Sequence, residues 1–466
     1  MDMMRLQLLL LVFMVTGSCN KDDGPPPFTP PVTSVAADTL PPQYGVPFAS
    51  VPDTRDIAMY EVNIRAFSAT HDLPGVTARL DSIRALGINV IWLMPIYPVG
   101  KVKAVPPMGS PYAVQDYTSV NPAFGELSDL RALVAAAHFR GMAVILDWVA
   151  DHTSWDNAWI KNTSWYQQNA AGQVISPPGQ SWNDVAALNY ANTDMREAMI
   201  HAMRYWVLAA NIDGYRCDYA DGPPADFWRQ AVDSLKSVSP SHKLVMLAET
   251  ADKDVFSEGF QMNYAWDYYT ALKNVFGDGQ PASGLIAADA AENAMLPKGA
   301  YKLRFTTNHD EDLNDAPPVS LFQGNQGSLA AFVLAATMGG VPLVYNGQEV
   351  GDPEKIPIFD TSAIRWDQHP EMVAAYKQIL GLRNASPALR DGALVSYATA
   401  DVAAFEKSDG NEQVLVIVNV RNNPVSFPVN SSLRGEWKDG LDADRAVSLA
   451  TQLSLPAFGY RIFIKN

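Results

Sequence analysis

The chain has 466 residues, 48% of them hydrophobic, which is enough for a large core and for more than one domain. Its formal net charge of −16 argues against nucleic acid and anionic membrane surfaces as partners. The same acidity suits an enzyme that acts on a neutral polymer, and it equally suits simple solubility.

The N-terminus has the pattern of an export signal. Arg5 precedes an apolar run over residues 6–15, which is too short to span a bilayer but suits a signal peptide. Residues 16–19, Thr-Gly-Ser-Cys, resemble the cleavage box of bacterial lipoproteins, and residues 20–23, Asn-Lys-Asp-Asp, resemble a signal for the outer cell surface. These resemblances imply a lipoprotein signal peptide over residues 1–19, lipidation at Cys19 and an anchor in the outer membrane, at the cell surface or otherwise facing the periplasm. A Cys that lies by coincidence in an ordinary signal peptide is the alternative.

The segment that follows is a predicted spacer. Residues 20–50 are rich in Pro, Asp, Thr and Gly, a composition that favours extended conformations over packing. The chain has two cysteines, so acylation of Cys19 would leave Cys217 without a disulfide partner. Cys217 lies between Arg216 and Asp218 on a predicted strand, so we expect it to face a surrounding helix layer as a small apolar residue and not to act as a nucleophile.

From residue 57 onward, buried-strand patterns alternate with amphipathic helices. Helical spacing of Leu80, Ile83 and Leu86 ends at Gly87, and an apolar strand follows. Such units predict an α/β fold, a (β/α)8 TIM barrel over residues 51–390, because continuous apolar strands separated by helices form a parallel sheet that is covered on its outer side. The candidate strands lie near 57–63, 88–94, 142–147, 212–218, 244–249, 260–265, 303–308 and 341–345.

Two further parts are predicted around this barrel. A small insertion domain after strand 3, residues 153–191, contains Trp155, Trp159, Trp165 and Trp182, which would form its core or stack on sugars. Short alternating strands over residues 391–466, separated by turn residues, predict a C-terminal antiparallel β-sandwich.

Three acids follow predicted barrel strands: Asp218 in Asp213-Gly-Tyr-Arg-Cys-Asp218, Glu249 after the apolar residues 244–248, and Asp310 in Asn308-His-Asp310. The period of two places Arg216 on the same inward face as Asp218, where it can hold that group as a carboxylate. The apolar run before Glu249 disfavours charge and would keep it protonated. Glycosidic cleavage needs two carboxyl groups in opposite protonation states.

These segments, in this order, resemble the α-amylase family of retaining α-glucan hydrolases and glucosyltransferases. The resemblance covers residues 57–465 and implies that Asp218 is the nucleophile, that Glu249 is the general acid and then the base, and that Asp310 is the third acid, which stabilises the transition state. Sugar-site roles are likewise implied for Tyr112 as an aromatic platform, for His152 as a donor to the bound sugar and for His309 as a sugar ligand. They are also implied for Arg216 and for Asp147, which orients neighbours such as Arg216. A structural Arg–Asp pair and a loop-packing Tyr112 are the alternatives.

Two departures from the family pattern concern calcium and substrate. Many members bind calcium between barrel and insertion; the matching positions here are Asp151 and Asn189, and the expected carboxylate is absent from the second, so these are candidate ligands only. The chemistry itself implies no cofactor. After Asp218 the chain reads Tyr219-Ala-Asp-Gly222, without the Lys-His pair of many α-amylases, which leaves cyclodextrin-cleaving or pullulan-cleaving preferences open.

The sequence therefore predicts a lipid-anchored glycoside hydrolase whose partner is an α-glucan cleaved at α-1,4 bonds with retention. No nucleic acid is expected as a partner, and membrane contact is expected only through Cys19. The alternatives are a glucanotransferase or a cyclodextrin- or pullulan-cleaving relative, and, from a different class, an inactive glycan-binding lipoprotein. Endo or exo action and oligomeric state are left open.

Overall fold

Parallel strands alternate with helices from residue 59 to residue 345 in a computed structural model that describes residues 39–238, 242–294, 296–410, 412–442 and 445–465. The predicted signal peptide, the lipidation at Cys19 and most of the predicted spacer lie outside these residues. In chain order, the first ten strands are β1 (Met59–Val62), β2 (Val90–Leu93), β3 (Ala143–Val149), β4 (His152–Ser154), β5 (Val185–Ala187), β6 (Gly214–Asp218), β7 (Val245–Ala248), β8 (Met262–Tyr264), β9 (Tyr301–Arg304) and β10 (Val341–Tyr345).

All of these except β4 and β5 close a parallel barrel in the order β1-β10-β9-β8-β7-β6-β3-β2. The helices in chain order are α1 (Ile64–Phe67), α2 (Leu73–Thr77), α3 (Leu80–Ala85), α4 (Leu127–Phe139), α5 (Thr193–Ala210), α6 (Ala225–Val238), α7 (Trp266–Phe276), α8 (Ser283–Asn293), α9 (His309–Asn314), α10 (Pro318–Leu321), α11 (Asn325–Thr337), α12 (Pro370–Ala385) and α13 (Pro387–Asp391). The predicted TIM barrel is confirmed.

The period of two along each strand divides the core into two layers. Alternate strand residues such as Met59, Trp92 and Leu247 pack together inside the barrel. Their neighbours, including Tyr60 and Cys217, pack in the larger cluster that contains the helices. Cys217 therefore faces the helix layer, as predicted.

Local signals set the ends of the helices. The side chain of Asn192 accepts the backbone N–H of Met195 at the start of α5, and Asn211, in the left-handed region with φ 58°, ends that helix. Gly87 and Gly141 follow α3 and α4 with φ 100° and 73°, where a side chain would be strained. The helix stop predicted at Gly87 is thus found.

The seventh strand differs from its predicted position near 303–308. β9 ends at Arg304, and residues 305–308 lead into α9. Asn308 then caps α9: its side-chain oxygen accepts the backbone N–H groups of Asp310 and Glu311, so a helix begins directly after the last residue of the predicted strand.

The last residues of the predicted spacer pack on the barrel. The backbone N–H of Tyr44 donates to Leu208 O at 2.7 Å, and the side chain of Asn211 donates to Val46 O at 2.8 Å. The guanidinium of Arg131 lies 4.1 Å from the centre of the Tyr44 ring. Residues 40–50, which were predicted as part of the spacer, therefore belong to the folded unit.

After the barrel come the antiparallel strands β11 (Ala393–Ser396), β12 (Val402–Asp409), β13 (Glu412–Asn419), β14 (Val425–Pro428), β15 (Gly435–Asp439), β16 (Ala446–Leu449), β17 (Gln452–Leu455) and β18 (Tyr460–Lys465). They form a six-stranded sheet, β11-β12-β13-β18-β15-β16, and a two-stranded sheet, β14-β17, which share one apolar cluster. Helix α11 contacts both β10 and β13, and for this reason it is apolar on every side. Among the described residues, no helix has the length and apolar character required to cross a membrane.

Candidate active site

A cavity of about 730 Å³ opens at the carboxyl ends of the barrel strands, where active sites of this architecture lie. Six side chains that the sequence predicts as site residues line it. They are Tyr112, His152, Asp218, Glu249, His309 and Asp310. Arg216 and Asp147 are fully buried and lie beneath them, so they support the site from below and do not face the cavity.

The guanidinium of Arg216 binds three carboxyl groups at once. Its Nη1 donates to Asp147 Oδ1 at 2.8 Å and to Asp218 Oδ1 at 2.9 Å, and its Nη2 lies 2.6 Å from Glu249 Oε1. The rigid planar fork of arginine therefore fixes the separation of Asp218 and Glu249. A fourth contact, from Nε to the hydroxyl of Tyr264 at 3.1 Å, holds the fork in orientation.

Glu249 has the protonation expected of an acid. Burial raises its pKa to about 8, and the negative charges of Asp218 and Asp310 act in the same direction, against the opposing effect of Arg216. The prediction that Glu249 stays protonated is supported, although its neighbourhood is less apolar than the strand sequence suggested. Its Oε2 accepts the backbone N–H of Tyr219 at 2.8 Å.

The backbone that supplies this N–H is strained. Tyr219 directly follows Asp218 and has φ 40°, in the left-handed region that costs a residue with a side chain about 1–2 kcal/mol. This left-handed conformation turns the chain sharply at the end of β6. Asp218 and the backbone N–H that binds Glu249 therefore come from two consecutive residues. Strain of this kind is concentrated at functional sites.

Asp310 has the opposite electrostatic environment. Burial by itself would raise the pKa of Asp310. Two positive groups outweigh burial and lower this pKa to about 2: the imidazolium of His309 and the guanidinium of Arg216. Nε2 of His309 lies 3.2 Å from Asp310 Oδ2. Its side chain is 41% exposed, against 17% for Glu249 and 13% for Asp218. Asp310 is therefore the most accessible of the three acids and is ionised at neutral pH.

Asp147 connects Arg216 to the cavity wall. Its second oxygen accepts from the indole N–H of Trp92 at 3.0 Å and from the hydroxyl of Tyr112 at 3.3 Å. Burial raises its pKa to about 6, and Arg216 opposes that rise. The ring of Tyr112 stacks on His309 with centroids 5.4 Å apart, which fixes Tyr112 as one wall of the cavity.

The insertion supplies a further wall. Trp182 lines the cavity, with its ring 5.6 Å from His152 and 5.2 Å from Tyr219. Trp159 and Trp165 instead pack against each other within the insertion. Only one of these tryptophans thus reaches the cavity, which the spacing of aromatic residues in the sequence did not predict.

The side chains of the two candidate calcium ligands make other contacts. The side-chain oxygen of Asn189 accepts the N–H of Ala191 at 3.1 Å, and its amide donates to Ser164 O. The carboxyl of Asp151 lies against Gly222 and His152. Throughout the described ranges, no three His, Cys, Asp or Glu side chains converge as metal ligands, and we derive no chemistry through calcium.

Several residues of the site were not predicted. Glu61 is fully buried on β1 and binds His309 from below, and Trp92 and Tyr264 support Asp147 and Arg216. Trp266 and Phe359 line the cavity. A charged residue inside the apolar strand β1 was a signal that could have identified Glu61.

Comparisons with known proteins agree with this geometry. Residues 54–175 match the family model described as the catalytic domain of alpha amylase. The chain is 26% identical over 386 residues to alpha-amylase 2 of Dictyoglomus thermophilum, an alignment that covers 78% of the chain and 66% of that relative, just under two thirds of its length. It is 26% identical over 425 residues to a cyclomaltodextrinase of Geobacillus thermopakistaniensis, covering 84% and 70%.

The fold comparison extends over most of the chain. The crystal structure of an alpha-amylase from Lactobacillus plantarum superposes with a TM-score of 0.80 at 26% identity, covering 89% of this chain and 100% of that one. The chain is thus similar to α-amylases in the fold of most of its length and, over residues 54–175, matches the model of their catalytic domain.

Proposed function

We propose that the protein hydrolyses α-1,4-glucosidic bonds in starch, maltooligosaccharides or related α-glucans, with retention of configuration. One observation carries the proposal: Asp218 and Glu249 bind opposite nitrogens of a single guanidinium at the floor of one cavity. A retaining mechanism needs a carboxylate nucleophile and a protonated acid at close separation. Relatives named alpha-amylase and cyclomaltodextrinase support the substrate class.

In the first step, a carboxylate oxygen of Asp218 attacks the anomeric carbon while Glu249 gives its proton to the departing glycosidic oxygen. The bond to the leaving sugar breaks, and an ester between Asp218 and the glucosyl unit forms. Arg216 contacts both carboxyl groups, so it keeps Asp218 and Glu249 at a fixed separation throughout the step.

In the second step, Glu249, now ionised, takes a proton from water, and the oxygen of that water attacks the anomeric carbon and releases Asp218. Asp310 stays ionised beside His309 and is placed to bind sugar hydroxyls and stabilise positive charge that develops on the ring. The ring of Tyr112 offers the apolar face on which a glucose unit stacks.

A nucleophile variant separates catalysis from binding. Asp218→Asn should reduce turnover of maltoheptaose to background while the variant still binds the sugar in calorimetry. Asp221→Asn is the matched control, because Asp221 lines the same cavity but accepts the hydroxyl of Thr250 at 2.7 Å and does not touch Arg216. Wild-type turnover no greater than that of Asp218→Asn would leave a glycan-binding protein and overturn the proposal.

A glucanotransferase would use the same covalent intermediate with a sugar as acceptor in place of water. The aromatic pair Trp182 and Tyr219 beside Glu249 favours this alternative, because it offers a stacking surface to an acceptor sugar. Incubation in ¹⁸O-water with and without excess maltose distinguishes the two: hydrolysis incorporates the label at the new reducing end, and transfer gives longer unlabelled chains. Sizing of products from amylose, pullulan and cyclodextrins then identifies the preferred substrate.

We also propose that the enzyme is exported and anchored in the outer membrane through a lipid on Cys19. The motif at residues 16–19 supports this location. Radiolabelled palmitate should be incorporated into the full-length wild-type protein and not into Cys19→Ala, which should appear in the soluble fraction. Equal labelling of the two proteins would contradict the anchor.

A further inference from the structure

Glu61 is a carboxyl group buried inside the barrel below the cavity. It is fully inaccessible on β1, next to Trp92 on one neighbouring strand and Tyr345 on the other. Oε1 contacts Nδ1 of His309, whereas Oε2 has no hydrogen bond to any of the protein that the structure describes. A buried carboxylate with one unsatisfied oxygen is costly unless a cation lies against it.

His309 has a carboxyl group at each of its two ring nitrogens. Nδ1 faces Glu61, and Nε2 faces Asp310 Oδ2 at 3.2 Å and the hydroxyl of Tyr112 at 2.6 Å. A neutral imidazole can donate from one nitrogen only, so it could not serve both carboxylates as a donor. The edge of the Trp92 ring packs 5.8 Å from the imidazole and holds its plane.

The other ionisable groups around this pair come from every neighbouring element. Asp147 adds negative charge from β3, and Arg216 adds positive charge from β6. Asp312 of α9, Tyr345 of β10 and Tyr264 of β8 interact with Glu61. Burial by itself lowers the pKa of His309, but Asp310 and Glu61 outweigh it and raise that pKa well above the ordinary value.

We propose that Glu61 is a positioning residue that keeps His309 doubly protonated, and that the imidazolium in turn holds Asp310 ionised and oriented at the cavity. The link to catalysis rests on the proposed function. The protonation state of His309 does not, because it is a property of the protein without substrate.

Glu61→Gln keeps the size of the side chain and removes its charge. Loss of one opposite charge at contact should lower the pKa of His309 by about 1–3 units. At pH values above this lowered pKa the imidazole of His309 becomes neutral, and Asp310 loses its cationic partner. The variant should therefore have near-wild-type kcat/KM at pH 6 and about tenfold lower kcat/KM at pH 8, with its alkaline limb at lower pH than wild type. A merely structural defect would lower activity equally at all pH values.

His309 can be observed directly by ¹H–¹⁵N correlation spectra of protein labelled at its seven histidines, with the resonance assigned from its loss in His309→Asn. Wild type should show both ring nitrogens protonated at pH 8, and Glu61→Gln should titrate at lower pH. Glu61→Asp retains the charge and should restore the wild-type titration. Glu349→Gln is the matched control, since Glu349 is also a buried glutamate but pairs with the hydroxyl of Tyr60 on the outer side of the barrel.

A neutral His309 in wild type at pH 8 would overturn the proposal, even if Glu61→Gln failed to fold. An unchanged His309 titration in Glu61→Gln would overturn it as well, and so would an equal shift in Glu349→Gln. If wild type hydrolysed no glucan, the proposed function would fail, while the spectra would still decide the role of Glu61.

Discussion

Replacing Glu249 with glutamine tests whether burial prepares this group as a general acid. At pH 7 a carboxyl with a pKa of about 8 is protonated in roughly nine molecules of ten, whereas one at the ordinary 4.5 is protonated in roughly one of three hundred. General acid–base catalysis contributes about 10²–10⁴-fold to a rate. Glu249→Gln should therefore lower kcat/KM for maltoheptaose by that factor.

The pH profile carries the more specific test. The acid form of Glu249 is lost as pH rises through about 8, so wild-type kcat/KM should fall above that pH, and the fall should be absent in Glu249→Gln. A substrate with a good leaving group, α-maltosyl fluoride, needs no acid in the first step. With it, added azide should restore turnover and give the α-glycosyl azide, because azide attacks without a general base.

Glu258→Gln is the control, because burial also raises the pKa of Glu258, which lies outside the residues that line the cavity. It should keep the wild-type alkaline limb. The reasoning is refuted if Glu249→Gln retains wild-type activity on maltoheptaose, or if its alkaline limb persists near pH 8.

Three further substitutions test the support of the site. Arg216→Lys removes the fork that joins Asp147, Asp218 and Glu249 and should lower kcat/KM by about 10²-fold; steady-state rates within a few fold of wild type would contradict this. Trp182→Ala should raise KM by about 2–10-fold with kcat little changed, since the ring lines the cavity without touching the three acids; an unchanged KM would remove it from the binding surface. Cys217→Ser should leave kcat unchanged and lower the free energy of unfolding, measured with urea, by about 1–3 kcal/mol, because it places a hydroxyl among apolar helices; loss of kcat with unchanged stability would assign the thiol a role in the reaction.

Local patterns in the chain were sufficient for the barrel and for the order of its acids. Apolar strands of three to seven residues between helices specify a covered parallel sheet, and the period of two alone placed Arg216 and Asp218 on one face. The sequence also indicated the glycines that follow α3 and α4, because their backbone conformation is strained for a residue with a side chain.

Contacts between distant segments were decided only by tertiary structure. Glu61 and His309 are 248 residues apart, and nothing in either local sequence specifies that they meet. The sequence predicted an apolar setting for Glu249, and barrel closure also placed Arg216 against it. Asn308 caps the helix that carries His309 and Asp310, because its side-chain oxygen accepts the backbone N–H groups of Asp310 and Glu311. The residue types and their spacing thus determined which groups face the barrel mouth, whereas closure of the cylinder determined which of them touch, and through those contacts their charge.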